Sequence, residues 1–298
     1  MKGLCELLRR EGVEFRTEYR LSAHSSFRIG GPAELAVFPK TREELTLVLH
    51  AAAMHDLPLR TGGRASNVVF PDEGLRGVLL VTTGCRRIQR FEDRLVADAG
   101  VTLYALAIAA EQASLSGAEF AHGIPGTVGG GVWMNAGAYD GCIADLCVES
   151  IYFDPRDGSI GTISGEAHRF GYRTSIYKEN PDYTILGATF VLHPGERDAI
   201  RTKMEDYRER RRKSQPLEYP SAGSVFKRPE GYFAGKLIED AGWKGRGVGG
   251  AQVSEKHAGF IVNRGGATAR DVRCLVEQIR EDVLKKFGVE LECEIGFW

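Results

Sequence analysis

The 298-residue chain has no run of about 18 apolar residues, so no membrane-spanning helix is expected. Its start, MKGLCELLRREGVEF, mixes charged and apolar residues and lacks the long apolar centre of a secretory leader, so a cytoplasmic protein is expected. Neither sign of charge is in excess: 39 Lys and Arg stand against 40 Asp and Glu. Bulk charge therefore gives no reason to expect a nucleic acid or a membrane surface as partner. The six cysteines (Cys5, Cys85, Cys142, Cys147, Cys274, Cys293) form no CxxC pair, and the seven histidines form no HExxH. No metal is expected, and the thiols read as reduced structural residues. Glycine is in surplus, 37 residues against a usual share of about 7%. The glycines cluster in loops, where backbone must come close to something.

Pattern and punctuation predict mixed elements. A helix is expected over 42–55, capped by Thr41, with Glu44 completing a capping box. The short strand LPLR runs into TGGRASN, and GVLLVTT (77–83) and RLVADAG (94–100) read as strands. TLYALAIAAEQASL reads as a helix capped by Thr102. Residues 148–163 read as a hairpin turning at DPRDG, and YTILGATFVL (183–192) as a largely apolar strand. Composition changes at His193-Pro194-Gly195. The charged helix that follows has few apolar positions (Ile200, Met204, Tyr207) and reads as lying solvated across a surface. A boundary is placed at 195–200. Later come a short helix around GKLIEDAG, the strand AGFIVN and a helix from Thr268. That helix puts Val272, Leu275, Val276, Ile279, Val283 and Leu284 on one face and ends at Gly288. VELECEI (289–295) alternates and reads as a last strand. The irregular order of elements indicates an α+β fold.

Two glycine-rich loops are candidates for ligand binding: TGGRASNVVF (61–70) and GIPGTVGGGVWMNAGAY (123–139). Their backbone N–H groups, with Ser66, Asn67 and Thr127, could cradle a diphosphate. The spacing is neither GxGxxG in a βαβ unit nor GxxxxGK[ST]. From the residues alone, tight structural turns and a diphosphate cradle both remain open.

The second loop resembles the flavin-binding signature of the UDP-N-acetylenolpyruvoylglucosamine reductases. So do SSFRIGGPAEL (25–35), RASNVVF (64–70), FGYRTSIYK (170–178), SAGSVFKRP (221–229), AGKLIEDAGWKG (234–245), VSEKHAGFIVN (253–263) and ATARDV (267–272), in the family's order along nearly the whole chain. The resemblance implies a vanillyl-alcohol-oxidase-type FAD-binding region with a C-terminal α+β substrate-binding domain. It implies FAD-binding subdomains at 1–84 and 85–196, with 289–298 a candidate to return to the latter, and a substrate domain at 197–288. It further implies non-covalent FAD, NADPH as reductant and a UDP-sugar substrate in peptidoglycan precursor synthesis. The short interval from Tyr177 to Tyr183 resembles the family's second, shorter type.

By the same resemblance the cofactor would lie on Gly62, Gly63, Arg64, Ala65, Ser66 and Asn67, and on Gly123, Ile124, Pro125, Gly126, Thr127, Gly130, Asn135, Gly137 and Ala138. Ser224 would be the proton donor, Arg173 would stabilise the charge of the enolate, and Glu294 would complete the catalytic set. Read without the family, Ser224 is equally a turn serine bonding its own backbone, and Arg173 a surface arginine. Tyr172, Arg211, Lys227 and Arg228 are candidates for substrate contact, although the basic run at 208–213 also reads as a solvated helix face. His257 is left out of the catalytic set as a structural residue. Ala65 departs from the family's glycine; if its position demands φ > 0, alanine is strained by about 1 kcal/mol or more.

Overall fold

Three long helices begin as their hydroxyl residues indicate. Thr41, Thr102 and Thr268 precede Arg42–Met54, Leu103–Gln112 and Ala269–Phe287, and each accepts from the backbone N–H three residues on. Only Thr268 forms a reciprocal box, with Asp271. The Glu44 carboxylate instead accepts from Lys40 N at 2.8 Å, which corrects the expected Thr41–Glu44 box. Gly288, at φ 67, ends the last helix in the left-handed conformation.

The computed structural model describes residues 1–139 and 141–298. It divides into two compact units: Met1–Thr17, Leu35–Arg64 and Arg76–Arg210 form the first, and Glu18–Glu34, Ala65–Leu75 and Arg211–Trp298 the second. The change of unit near the end of the charged helix thus falls later in the chain than the composition change at 195–200.

The first unit is built on two sheets. Strands Glu14–Arg20, Pro32–Phe38, Leu75–Val81 and Leu59–Gly62 pair in that order, the last two in parallel, and the first three each run past the limits of this unit. A five-stranded antiparallel sheet follows the order Ser159–Ser164, Cys147–Asp154, Thr184–Val191, Arg94–Asp98, Ile88–Phe91. The predicted hairpin at DPRDG is its outer pair. Its apolar core includes Leu95, Leu103, Val128, Val132, Ile185 and Phe190. The charged helix Arg197–Ser214 adds Ile200 and Met204 to that core and stacks Tyr207 on Tyr139, with ring centroids 4.4 Å apart. Arg197 and Arg201 reach the buried Glu111 on Leu103–Gln112 at 2.9 and 2.7 Å, so the helix is fastened at both its apolar and its charged faces.

In the second unit, a four-stranded antiparallel sheet runs Ser221–Ser224, Phe260–Asn263, Ala251–Val253, Gly247–Val248. Helix Ala269–Phe287 buries Val272, Leu275, Val276, Ile279 and Val283, each contributing about 1.5–3 kcal/mol through lost water contact. Leu284 departs from the expected stripe and is 50% exposed: its neighbour Val283 is fully buried in the same turn, and Leu284 stands about 100° round the helix from it, at the flank of the stripe. The expected strand 289–295 is not continuous. Cys293 makes an isolated bridge to Phe226, and regular pairing resumes only at Gly296–Phe297, parallel to Val68–Val69. Among the described residues, no helix is long and apolar enough to cross a membrane, and no group of three or more His, Cys, Asp or Glu is arranged to hold a metal ion.

Candidate functional site

In the first unit the two glycine loops meet. Strand Leu59–Gly62 delivers Gly63 against Thr127, so closely that a Cβ on Gly63 would lie 2.3 Å from the Thr127 hydroxyl oxygen. Thr127 is buried and caps the short helix Val128–Met134, accepting from Gly130 N. Val128 N and Gly129 N bond the carbonyls of Val101 and Ala99, and Leu103 N bonds that of Gly126, which pins the loop to the end of a strand and the start of a helix. No carboxylate occurs within 61–70 or 123–139, and Arg64 is exposed. Backbone brought together without a side chain between, and a donor set free of acids, suit the diphosphate of a dinucleotide. Gly62, Gly63, Arg64, Gly123, Ile124, Pro125, Gly126, Thr127, Gly130, Gly137 and Ala138 are the residues of this unit that could hold FAD.

Asn135 has another employment. It ends the short helix in the left-handed conformation (φ 44) and is buried. Its Oδ1 accepts from Ala144 N at 2.9 Å, and its Nδ2 donates to the Gly171 carbonyl at 2.9 Å. Both polar atoms of its side chain are thus engaged within the protein. Gly171 opens a narrow turn in which Gly171 and Thr174 exchange backbone bonds and Arg173 has φ 57. The Arg173 guanidinium donates to the Gly137 carbonyl at 3.0 Å and lies 5.2 Å from the ring centre of the exposed Tyr172. The structure thus joins Arg173, Asn135 and Gly137, three predicted residues from two separate motifs.

Behind that turn lies a buried polar trio that sequence reasoning missed. His168 Nδ1 faces the Gly165 carbonyl at 3.0 Å, which can only accept, so Nδ1 carries the proton. Nε2 then accepts from the Ser150 hydroxyl at 2.8 Å, and Ser150 Oγ accepts from the Tyr177 hydroxyl at 2.6 Å. Burial pushes the His168 imidazole down and the Tyr177 phenol up, so the chain of bonds is neutral. A serine in a strand and a lone histidine give no periodic or spacing signal that would have paired them.

In the second unit, Ser224 ends a strand whose Val225 N bonds the Gly259 carbonyl. Val225 O in turn accepts from Glu294 N at 2.8 Å, and the Glu294 carbonyl accepts from Asn67 Nδ2 at 3.0 Å. Gly296 N closes onto the Asn67 carbonyl. Ser224, Glu294 and Asn67, distant in sequence, are therefore held by one run of backbone pairing. Ala65 has φ 47, the strained conformation that its departure from glycine raised as a question, and its carbonyl accepts from Ser26 N at 3.3 Å. The Ser26 hydroxyl lies within reach of both Ala65 O and Ser221 O, a role that the motif SSFRIGG contained but did not declare. Ser66 is partly buried in the same loop.

The basic candidates of this unit differ in their surroundings. Lys227 is ion-paired with the exposed Glu292. The Arg228 guanidinium lies 4.0 Å from the Phe233 ring centre and bonds the Tyr232 carbonyl. Arg211 is partly buried in the last turn of its helix. His257 accepts from Gly259 N on Nδ1, packs on Phe260, and is pushed down by burial, as befits a structural residue.

Comparison with known proteins covers both parts of the chain. Residues 33–164 match the model of the FAD binding domain family, and residues 215–298 that of the UDP-N-acetylenolpyruvoylglucosamine reductase C-terminal domain. A UDP-N-acetylenolpyruvoylglucosamine reductase of Lachnoclostridium phytofermentans is 48% identical over 280 residues, 92% of this chain and 90% of that one. One of Clostridium novyi is 43% identical over 294 residues, 99% of this chain and 94% of that one. Among solved structures, the UDP-N-acetylenolpyruvylglucosamine reductase of Thermus caldophilus superposes with a TM-score of 0.78 at 34% identity, covering 96% of this chain and 98% of that one.

Proposed function

The chain belongs to the UDP-N-acetylenolpyruvoylglucosamine reductase family, and from that premise we propose that it reduces UDP-N-acetylglucosamine enolpyruvate to UDP-N-acetylmuramate, with NADPH as reductant, in the cytoplasmic synthesis of peptidoglycan precursors. FAD, when bound, supplies the hydride that NADPH has delivered to it. The protein's own residues handle the rest of the balance: one carbon of the enol ether takes the hydride, its neighbour takes a proton, and the carboxylate end carries negative charge between the two events.

We assign the proton to the Ser224 hydroxyl. Serine is a weak acid in water, and it serves only when fixed beside a strongly basic carbon. One observation carries this assignment: Val225 is bonded on both sides, to Gly259 and to Glu294, so the residue before it has a fixed backbone. Arg173 answers the need for a permanent positive fork on the enolpyruvyl carboxylate. Glu294 is assigned to the same site; its backbone N–H bonds Val225, the residue after Ser224. Tyr172, Arg211, Lys227 and Arg228 are assigned to the UDP-sugar, and residues 1–84, 85–196 and 197–288 are read as two cofactor subdomains and a substrate domain.

The test begins with the absorbance of flavin in the purified protein and continues with NADPH consumption with and without the enolpyruvyl sugar. Consumption that requires the sugar is expected, and consumption indifferent to it refutes the substrate. Ser224→Ala should leave flavin reduction by NADPH intact and slow sugar turnover by about 10²-fold or more. Unchanged turnover removes Ser224 from its role.

A further inference from the structure

We propose that Asn135 and Ser175 are positioning residues that set the Arg173 guanidinium, an inference that rests on the role given to Arg173 above. Arg173 stands on a turn of minimal length, between the reciprocal backbone bonds of Gly171 and Thr174. Its own backbone is left-handed, at φ 57, a conformation that costs a residue with a Cβ about 1–2 kcal/mol. Such a turn holds only where its surroundings hold it.

The surroundings are specific. On one flank, Asn135 Nδ2 donates to the Gly171 carbonyl at 2.9 Å. On the other, the buried Ser175 hydroxyl donates to the Trp133 carbonyl at 2.8 Å. Both partners belong to the end of one short helix, Val128–Met134 and its cap. Two residues further on, Gly137 offers the carbonyl that receives Arg173 Nη2. The glycine loop and the arginine turn are thus stitched by three bonds within about five residues on each side. The base of the arginine segment is closed separately, since Ser150 bridges His168 and Tyr177. A guanidinium held this way meets a carboxylate without searching for its rotamer, which is what a preorganised charge stabiliser requires. Asn135 also bonds Ala144 through Oδ1, so a bland reading exists in which it only finishes a helix.

The experiment separates these readings with the flavin-loaded protein, NADPH and the enolpyruvyl sugar, each half-reaction being followed by flavin absorbance. Asn135→Gly removes both side-chain bonds and is at ease in the left-handed region. Asn135→Asp keeps the acceptor for Ala144 N and loses the donor to Gly171. Ser175→Ala loses its bond and Ser175→Thr keeps a hydroxyl. Positioning predicts that Asn135→Gly, Asn135→Asp and Ser175→Ala slow flavin oxidation by the sugar about 10–100-fold, and by at least about 10-fold more than they slow flavin reduction by NADPH. Ser175→Thr should recover most of the rate. In an Arg173→Ala background, Asn135→Gly should add less than about a 2-fold loss, because the group it positions is gone.

Recovery in Asn135→Asp, equal slowing of both half-reactions, or full multiplication with Arg173→Ala overturns the proposal. If Ser175→Ala fails to retain flavin, the two Asn135 variants decide. A normal oxidation rate in Arg173→Ala itself would instead refute the role of Arg173, and is told apart because it needs no change at 135 or 175.

Discussion

Gly63→Ala tests the meeting of the two glycine loops at a single atom. The new methyl would lie 2.3 Å from Thr127 Oγ1, 2.9 Å from its Cγ2 and 3.1 Å from its Cβ. The nearer two are well inside van der Waals contact, so Thr127 must rotate or the loops must part. Thr127 is 2% exposed and cannot swing into water. Forcing extra volume into such a place costs about 1–3 kcal/mol. Turning the hydroxyl away also loses its long 3.5 Å cap bond to Gly130 N, at the low end of about 0.5–2 kcal/mol. Against this, replacing glycine stiffens the unfolded chain and returns about 0.4–1 kcal/mol. The net is a loss of about 1–3 kcal/mol, or several degrees in Tm for a chain of this size. Thr127→Ala removes both of the nearest atoms, so in that background Gly63→Ala should cost less than about 1 kcal/mol. The assay is urea unfolding of the four members of the cycle, with FAD affinity from flavin fluorescence alongside. A coupling near zero, whether because Gly63→Ala is harmless or because its cost is the same in both backgrounds, would refute the close approach and with it the argument that these loops form one cradle.

Two other expectations concern stability. Burial holds the His168 imidazole below its ordinary value of 6.5, so the unfolded chain takes up a proton before the folded one does. Stability is therefore complete above about pH 6.5 and falls as pH drops below it, by at most about 1.4 kcal/mol per pH unit for this residue. His168→Gln should flatten the dependence between pH 6.5 and 5.5 without abolishing it, because His122 and His257 are pushed down too; an unchanged slope in urea midpoints would sink this account. At Ala65, relief of left-handed strain in Ala65→Gly, about 1–2 kcal/mol, is opposed by unfolded-chain entropy and by the loss of a buried methyl, about 0.8 kcal/mol. That variant should unfold within about 0.5 kcal/mol of wild type, whereas Ala65→Val should lose about 2 kcal/mol or more, and equal stability of the two would show that the position carries no strain.

The parts of the fold that the sequence exposes are those fixed by short-range rules. Threonines before apolar runs, the DPRDG turn and Gly288 act within a few residues, and the structure uses each as expected. Leu284 shows where periodicity fails: it sits at the flank of the stripe beside the fully buried Val283, and the buried face is narrower than the apolar pattern. In VELECEI the alternation holds, with Val289, Leu291, Cys293 and Ile295 packed on the core and Glu290 and Glu292 exposed, but continuous strand pairing does not. A strand needs a neighbour along its whole length, and Phe226 offers one only at Cys293. Of the candidate site, the motifs marked which loops to watch. They did not show that Asn135 faces Gly171, or that Ser150 links His168 to Tyr177, because a side-chain bond between distant segments leaves no period in the chain.

Backbone strain shows how differently the two candidate catalytic residues are presented. Five of the ten non-glycine residues with positive φ among those described lie in the quoted motifs: Arg28, Ala65, Asn135, Tyr139 and Arg173. Ser224 is spared, because the left-handed residue of its turn is the preceding Gly223, at φ 82. There the turn and the reactive side chain occupy different positions, and glycine meets the first demand without cost to the second. At Arg173 both demands fall on one residue. Glycine there would relax the backbone and delete the guanidinium, so the strain must stay and be offset by neighbours. The bonds of Asn135 and Ser175 supply that offset by tying the turn to one helix end, which is why the turn at 171–174 depends on side-chain bonds to the glycine loop while Val225, next to the reactive serine, is held by backbone pairing.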